Sequence, residues 1–165
     1  MIKVKNQPLI SYIITVFNKE KYLKHVIQAI LSQTHNHKFE IILVNDGSTD
    51  KSLKILENFA NKDENIYLLS QVNKGPPYAC NLGLRHAKGK FIKFVDGDDI
   101  LVPNATSNLI NPFLISGDMP ILTFSRNIKT FKKLENSLEE FYKNNDLSLF
   151  EHKKNDYIFH KNFLD

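Results

Sequence analysis

The 165-residue chain has a single cysteine, Cys80, so no intrachain disulfide can form, and no Cys/His set has the close spacing of a structural zinc site. A reducing, cytoplasmic compartment is the expectation. No apolar run approaches the roughly 18 residues of a membrane span, and the first residues lack the basic, apolar and small-residue order of a signal peptide. The chain is therefore expected to be soluble, with at most peripheral contact at the inner face of a membrane. Concentrated positive charge is also missing. The net charge is +4, and the excess lies in residues 1–100, which carry 14 Lys/Arg against 10 Asp/Glu, all dispersed. Without a basic stripe, an RNP-like aromatic motif or an Arg-dense helix, no nucleic acid is expected as partner, whereas a nucleotide with a diphosphate remains open. Two phosphate-binding signatures are absent as well. The first crossover runs Thr15-Val16-Phe17-Asn18 where a dinucleotide fold would bring G-x-G-x-x-G, and no G-x-x-x-x-G-K-[ST] occurs. Nicotinamide, flavin and P-loop chemistry are thereby disfavoured.

What is present is a globular composition, 42% hydrophobic and 24% charged, in a chain long enough for one domain. The first hundred residues alternate short β-branched apolar runs with amphipathic stretches. Leu9–Phe17, Phe39–Val44, Ile66–Leu69 and Phe91–Val95 read as strands; Lys19–Gln33, the stretch carrying Leu53, Leu56, Phe59 and Ala60, and Tyr78–Ala87 read as helices. Ser48 or Asp50 offers N-cap chemistry to the second helix. Strands this apolar, joined by helical crossovers, predict an α/β fold with a mainly parallel sheet flanked by helices on both faces. After Pro103 the spacing predicts a helix over Asn104–Asn111, a strand over Ile121–Ser125, a helix over Leu134–Lys143 and a strand start at Tyr157–Phe159.

Ligands of such sheets sit beyond the carboxyl ends of the strands, which selects Phe17 to Glu20, Asn45 to Ser48, Gln71 to Gly75 and Asp96 to Asp99. Asp96-Gly97-Asp98 can bring two carboxylates to one hard cation; alone it also reads as a capping turn. A calcium loop is disfavoured because Ile100-Leu101-Val102 supplies no further ligands. Asp46 can accept hydrogen bonds from a base or ribose, although its segment alone is an ordinary turn. His35 and His37 read as an exposed turn without a third metal ligand, and Cys80, Tyr12, Phe91 and Phe94 as packing residues.

Together the segments ISYIITVFNKEKYLKHVIQAILSQT (10–34), EIILVNDGSTDKSLKIL (40–56), NKGPPYACNLGLRHAKGKFIKFVDGDD (73–99) and Pro103 resemble the nucleotide-sugar-dependent glycosyltransferases of family 2, which have the GT-A fold. The resemblance implies that Thr15, Phe17, Asn18 and Glu20 lie beside the nucleobase and that Asp46 reads it. It implies that Asn73, Lys74 and Gly75 pass over the nucleotide. Asp96-Gly97-Asp98 corresponds to the DXD motif, whose carboxylates Asp96 and Asp98 meet the ribose and a Mg²⁺ or Mn²⁺ ion on the diphosphate. The expected partners are a nucleoside diphosphate sugar, such as a UDP-sugar, and a glycan or glycolipid acceptor in polysaccharide biosynthesis.

Three departures from the family pattern stand out: Asn45 in place of a first Asp, Cys80 in place of an Arg, and Pro76-Pro77 in place of small residues. Inverting transfer also needs a carboxylate general base after the DXD motif, and no residue matches it, so the catalytic residue is unassigned. Residues 156–165 resemble the segment shortly before that acid. The expectation is one GT-A domain over 1–165, C-terminally truncated, with 1–102 the nucleotide-sugar-binding part and 103–165 an incomplete acceptor-side part. Glu139, Glu140, Glu151 and Asp156 are the late acids that could substitute, each otherwise a solvated surface charge. The alternative function is a non-catalytic nucleotide-sugar-binding module.

Overall fold

A computed structural model describes residues 7–116 and two short strands, 122–123 and 158–160. The elements alternate as β1 (Ile10–Val16), α1 (Leu23–Leu31), β2 (Phe39–Asp46), α2 (Ser52–Ala60), β3 (Ile66–Gln71), α3 (Pro76–His86), β4 (Phe91–Asp96) and α4 (Ala105–Ser116), followed by β5 (Leu122–Thr123) and β6 (Ile158–His160). The sheet order is β3-β2-β1-β4-β6-β5. β1, β2, β3 and β4 are parallel, whereas β6 runs antiparallel to both β4 and β5. The four strands and three helices read from residues 1–100 are thus present. The helix expected over Leu134–Lys143 lies outside the described residues, as do the acids Glu139, Glu140, Glu151 and Asp156.

The unbroken apolar runs are explained by burial on both sides. Ile10, Tyr12, Ile14 and Val16 point to one face, where α1, α2 and α4 cover them through Val26, Ile27, Ile30, Leu56 and Ile110. Ile13 points to the other face with Ile42, Val44 and Ile92, under Ala79 and Leu82 of α3. This is the period of two that a pleated strand imposes. α1 buries Leu23, Val26, Ile27 and Ile30 at helical spacing, and it begins later than the expected Lys19. Asn18 adopts a left-handed φ of 53°, and the Lys19 carbonyl accepts hydrogen bonds from the Tyr22 and Leu23 N–H groups, forming a turn that precedes the helix.

Two polar clamps fix the framework behind the strand ends. Gln33 is buried; its Nε2 donates to Val102 O at 2.7 Å and its Oε1 accepts from Thr106 N at 3.1 Å. With the Thr34 N–H on Pro103 O at 2.7 Å, these contacts tie the chain after the Asp96–Asp99 turn to the end of α1. At the amino ends of the strands the buried Glu40 carboxylate accepts from Ser11 Oγ and from Lys88 N, both at 2.6 Å. Such buried acceptors are costly to leave unpaired, so both clamps specify geometry as well as stability. No helix among the described residues is long and apolar enough to cross a membrane.

Candidate functional site

Successive crossovers β1→β2→β3 move one way along the sheet, and α3 then carries the chain back to place β4 on the other side of β1. The strand order reverses between β1 and β4, and a crevice opens at the carboxyl ends there. A pocket of about 390 Å³ occupies that place, lined by Thr15, Phe17, Lys19, Asp46, Asn73, Gly75, Asp96 and Asp98, with Val16, Pro76, Ala79 and Gly97. Residues from all four sequence segments therefore meet at one point. A larger cavity of about 780 Å³ lies at the opposite end, around His35, Lys38, Glu40 and Lys88, away from the switch point.

Asn18, Glu20 and Lys74 are not among the pocket-lining residues. Asn18 Oδ1 accepts from Thr49 N at 2.8 Å and Asp50 N at 3.3 Å, while its own N–H donates to Ser48 Oγ at 3.1 Å. Glu20 Oε2 accepts from Lys51 N at 2.8 Å, and Asp50 Oδ2 accepts from Glu20 N at 3.1 Å. A helix N-terminus leaves N–H groups without intrahelical partners, and here the neighbouring loop supplies most of the acceptors. The residue at the N-cap position is Lys51, with no side-chain cap. The Ser48 hydroxyl is turned to the β1–α1 loop, and Asp50 does accept the Ser52 N–H at 2.8 Å. Burial pushes the Asp50 carboxyl upward, but hydrogen bonds from Ser52 and Glu20 outweigh it and hold the group below the usual carboxylate range.

Asp46 ends β2 and is 3% exposed. Its Oδ1 accepts from Gln71 Nε2 at 2.7 Å and Lys74 N at 2.9 Å, and its Oδ2 from Gly75 N at 2.9 Å. Lys74 thus contributes its backbone, and Gln71, the first residue of the selected segment but given no role by the resemblance, belongs to the same cluster. An ionised carboxylate has about four acceptor positions, so one on Oδ2 remains for a ligand. The glycines on either side are required. Gly47 has φ 71°, and a Cβ there would lie 2.6 Å from Asn73 N; Gly75 has φ 90° immediately before Pro76. Pro76 and Pro77 then occupy the first turn of α3, where a missing N–H costs nothing.

The acid turn closes the other side. Gly97 N donates to Thr15 O at 3.0 Å and Asp99 N to Asp96 O at 2.9 Å, which leaves Asp96 exposed and Asp98 half-buried. Lys19 Nζ donates to Asp98 Oδ2 at 2.6 Å. A cation thus already rests on one carboxylate. Among the described residues no group of three or more His, Cys, Asp or Glu could hold a metal by itself. Two carboxylates and an open pocket instead suit Mg²⁺ or Mn²⁺, ions that take one or two protein carboxylates and complete their shell with phosphate oxygens and water. Asp96 and Asp98 would hold such an ion. Burial, then the charge of Asp96, pushes the Cys80 thiol up, so it stays protonated, as expected of a packing residue.

His35 is not a plain exposed turn residue. Its ring is edge-on to Phe39, its Nε2 shares a hydrogen bond of 3.0 Å with Tyr12 Oη, and Tyr12 in turn donates to Thr106 Oγ1 at 2.8 Å. Burial, with the neighbouring His37 acting in the same direction, lowers its pKa below the ordinary histidine value.

A mainly parallel α/β sheet with an acidic turn and a pocket at its switch point fits the architecture of GT-A glycosyltransferases. The chain belongs to glycosyl transferase family 2, whose family model matches residues 11–163. It is 41% identical over 107 residues to an uncharacterized glycosyltransferase of Haemophilus influenzae, covering 64% of this chain and 42% of that protein. Among solved structures it is similar to S. aureus TarS 1–349 in complex with UDP-GlcNAc, with TM-score 0.65 and 26% identity over 94% of this chain and 46% of that one. It also shares its fold with the mannosyltransferase PcManGT of Pyrobaculum calidifontis in complex with GDP-Man and Mn²⁺, with TM-score 0.60 and 22% identity over 81% of this chain and 39% of that one. The chain spans less than half the length of each of these proteins.

Proposed function

We propose that this chain carries the donor site of an inverting glycosyltransferase that takes a nucleoside diphosphate sugar, such as a UDP-sugar, and passes the sugar to a glycan or glycolipid acceptor in polysaccharide assembly. The observation that carries the reading is the convergence of Asp46, Asp96 and Asp98 on one pocket with Thr15 and Phe17. Phe17, 44% exposed, offers an aromatic face to a base, and the free acceptor position of Asp46 suits a base N–H donor. Asn73 and Gly75 roof the nucleotide, and Asp96 reaches the ribose side. Asp98 and Asp96 would hold a divalent ion, which would supply Lewis acidity toward the departing diphosphate. Asn18, Glu20 and Lys74 serve by bracing these walls. On this reading the protein works in the cytoplasm, with at most peripheral contact at the inner face of a membrane.

The similarity to proteins solved with UDP-GlcNAc and with GDP-Man and Mn²⁺ supports a nucleotide-sugar donor. Calorimetric titration with UDP and GDP, with and without Mn²⁺, tests it. UDP is expected to bind more tightly with Mn²⁺ present, and Asp98→Asn to remove most of that gain while leaving thermal stability in place. Equal affinity with and without the ion would sink the metal assignment, and acceptor-dependent UDP release separates transfer from binding alone.

A further inference from the structure

Lys19 lies within the strand-end segment Phe17 to Glu20 and lines the pocket, yet the resemblance gave it no role. Its backbone is pinned: the N–H donates to Ser52 Oγ at 2.9 Å, and the carbonyl accepts the Tyr22 and Leu23 N–H groups. Its side chain is not pinned in the same way, because a lysine ammonium is a point charge on a flexible stem. That stem runs over the one residue of the acid turn without a side chain. A Cβ on Gly97 would lie 3.1 Å from both Lys19 Cγ and Thr15 O, so a side chain between the two acids would crowd the lysine stem against β1. The ammonium then meets Asp98 Oδ2 at 2.6 Å, with the two side chains 33% and 28% exposed.

We propose that Lys19 is the built-in counter-cation of Asp98: it holds that carboxylate while no divalent ion is present, and it yields the carboxylate and turns to the diphosphate when ion and nucleotide enter together. The inference rests on the reading that Asp98 holds a divalent ion. Without Lys19, Asp46, Asp96 and Asp98 would place three carboxylates around one small pocket with no positive side chain among its lining residues. An oxygen of Asp98 cannot serve the ammonium and a metal ion at full strength together, so the two compete. Lysine released by that competition remains anchored at the pocket mouth, next to the negative charge the nucleotide brings.

Competition and assistance have opposite signs, and this distinguishes the idea from a packing role. In Mn²⁺ titrations without nucleotide, followed by the electron paramagnetic resonance of the free ion, Lys19→Met is expected to bind Mn²⁺ about fivefold more tightly than the unmutated protein, the upper end for a partly exposed ion pair. In UDP titrations at saturating Mn²⁺ the same variant is expected to bind about fivefold more weakly, and Lys19→Arg to behave as the unmutated protein in both. Lys19→Gln repeats the comparison should the methionine variant not fold. Weakening of both affinities, or no change in Mn²⁺ affinity, overturns the inference while leaving the metal reading standing. Failure of the unmutated protein to couple UDP and Mn²⁺ overturns both.

Discussion

Replacing Asp46 by asparagine changes one atom and discriminates between an acid that only reads a ligand and one that also builds the pocket. In the structure Oδ1 serves Gln71 and Lys74 while Oδ2 serves Gly75 at 2.9 Å. Asparagine preserves an oxygen for the first two and sets an NH₂ group against the Gly75 N–H, two donors facing each other. A hydrogen bond to a charged acceptor contributes about 1.5–3 kcal/mol net, and the two surviving bonds lose their charge assistance. The expected loss is about 2–3 kcal/mol in unfolding free energy, read from urea denaturation. Because Asn73 and Gly75 line the pocket, UDP affinity should fall by more than about tenfold, the equivalent of 1.4 kcal/mol. Hydrogen exchange supplies the decisive measurement: the Lys74 and Gly75 amides should exchange much faster in Asp46→Asn than in the unmutated protein. Unchanged protection at both amides, with weakened UDP binding and intact stability, would refute the argument and leave Asp46 a ligand contact alone.

Asn18→Ala removes the acceptor of the Thr49 and Asp50 N–H groups and puts a Cβ-bearing residue without a local hydrogen bond at φ 53°. It should destabilise by about 1–2 kcal/mol in urea denaturation, with Asn18→Gly recovering only the backbone share. Equal losses would contradict this division. The folded-state pKa of His35 lies below its unfolded value, so the unfolded chain takes up more protons as pH falls. Stability from this residue is present above about pH 6.5 and declines as pH falls toward the folded pKa. The urea midpoint should therefore drop more between pH 7.5 and 5.5 in the unmutated protein than in His35→Phe; identical drops would remove His35 from the account.

The sheet was legible because its strands are buried on both faces, which turns each into an unbroken apolar run such as Ile10–Val16, and the rule that ligands sit beyond the carboxyl ends of such strands selected the segments that meet at the pocket. Side-chain duties were less legible because they depend on register. Val16 is paired with Asn45, which brings the loops after β1 and β2 side by side. That adjacency, invisible along the chain, diverts Asn18 and Glu20 from the pocket to the start of α2. Asp46 could be placed at the pocket from its strand end, but its bonds to Lys74 and Gly75 need the tight approach of Gly47 to Asn73. Lys19 was missed because nothing local marks a lysine as the partner of an acid 79 residues away. His35 reads as a loop residue until Tyr12, Phe39 and Thr106 are seen around it.

The zipper between the loops after β1 and β2 also bears on when the site comes into being. Its hydrogen bonds join residues 30 to 33 positions apart, and the Lys19–Asp98 contact spans 79. The former need β1 and β2 brought together across α1, and the latter needs β1 and β4 brought together across three helices and two strands; such non-local closures are slow to find. No early, locally structured species can offer a nucleotide the assembled pocket. Ligand would then stabilise the native state without stabilising the folding transition state, so its effect should fall on the unfolding rate. A donor-loaded protein would fold no faster than an empty one and would be slower to come apart, with residence of the nucleotide acting as kinetic protection for the finished sheet.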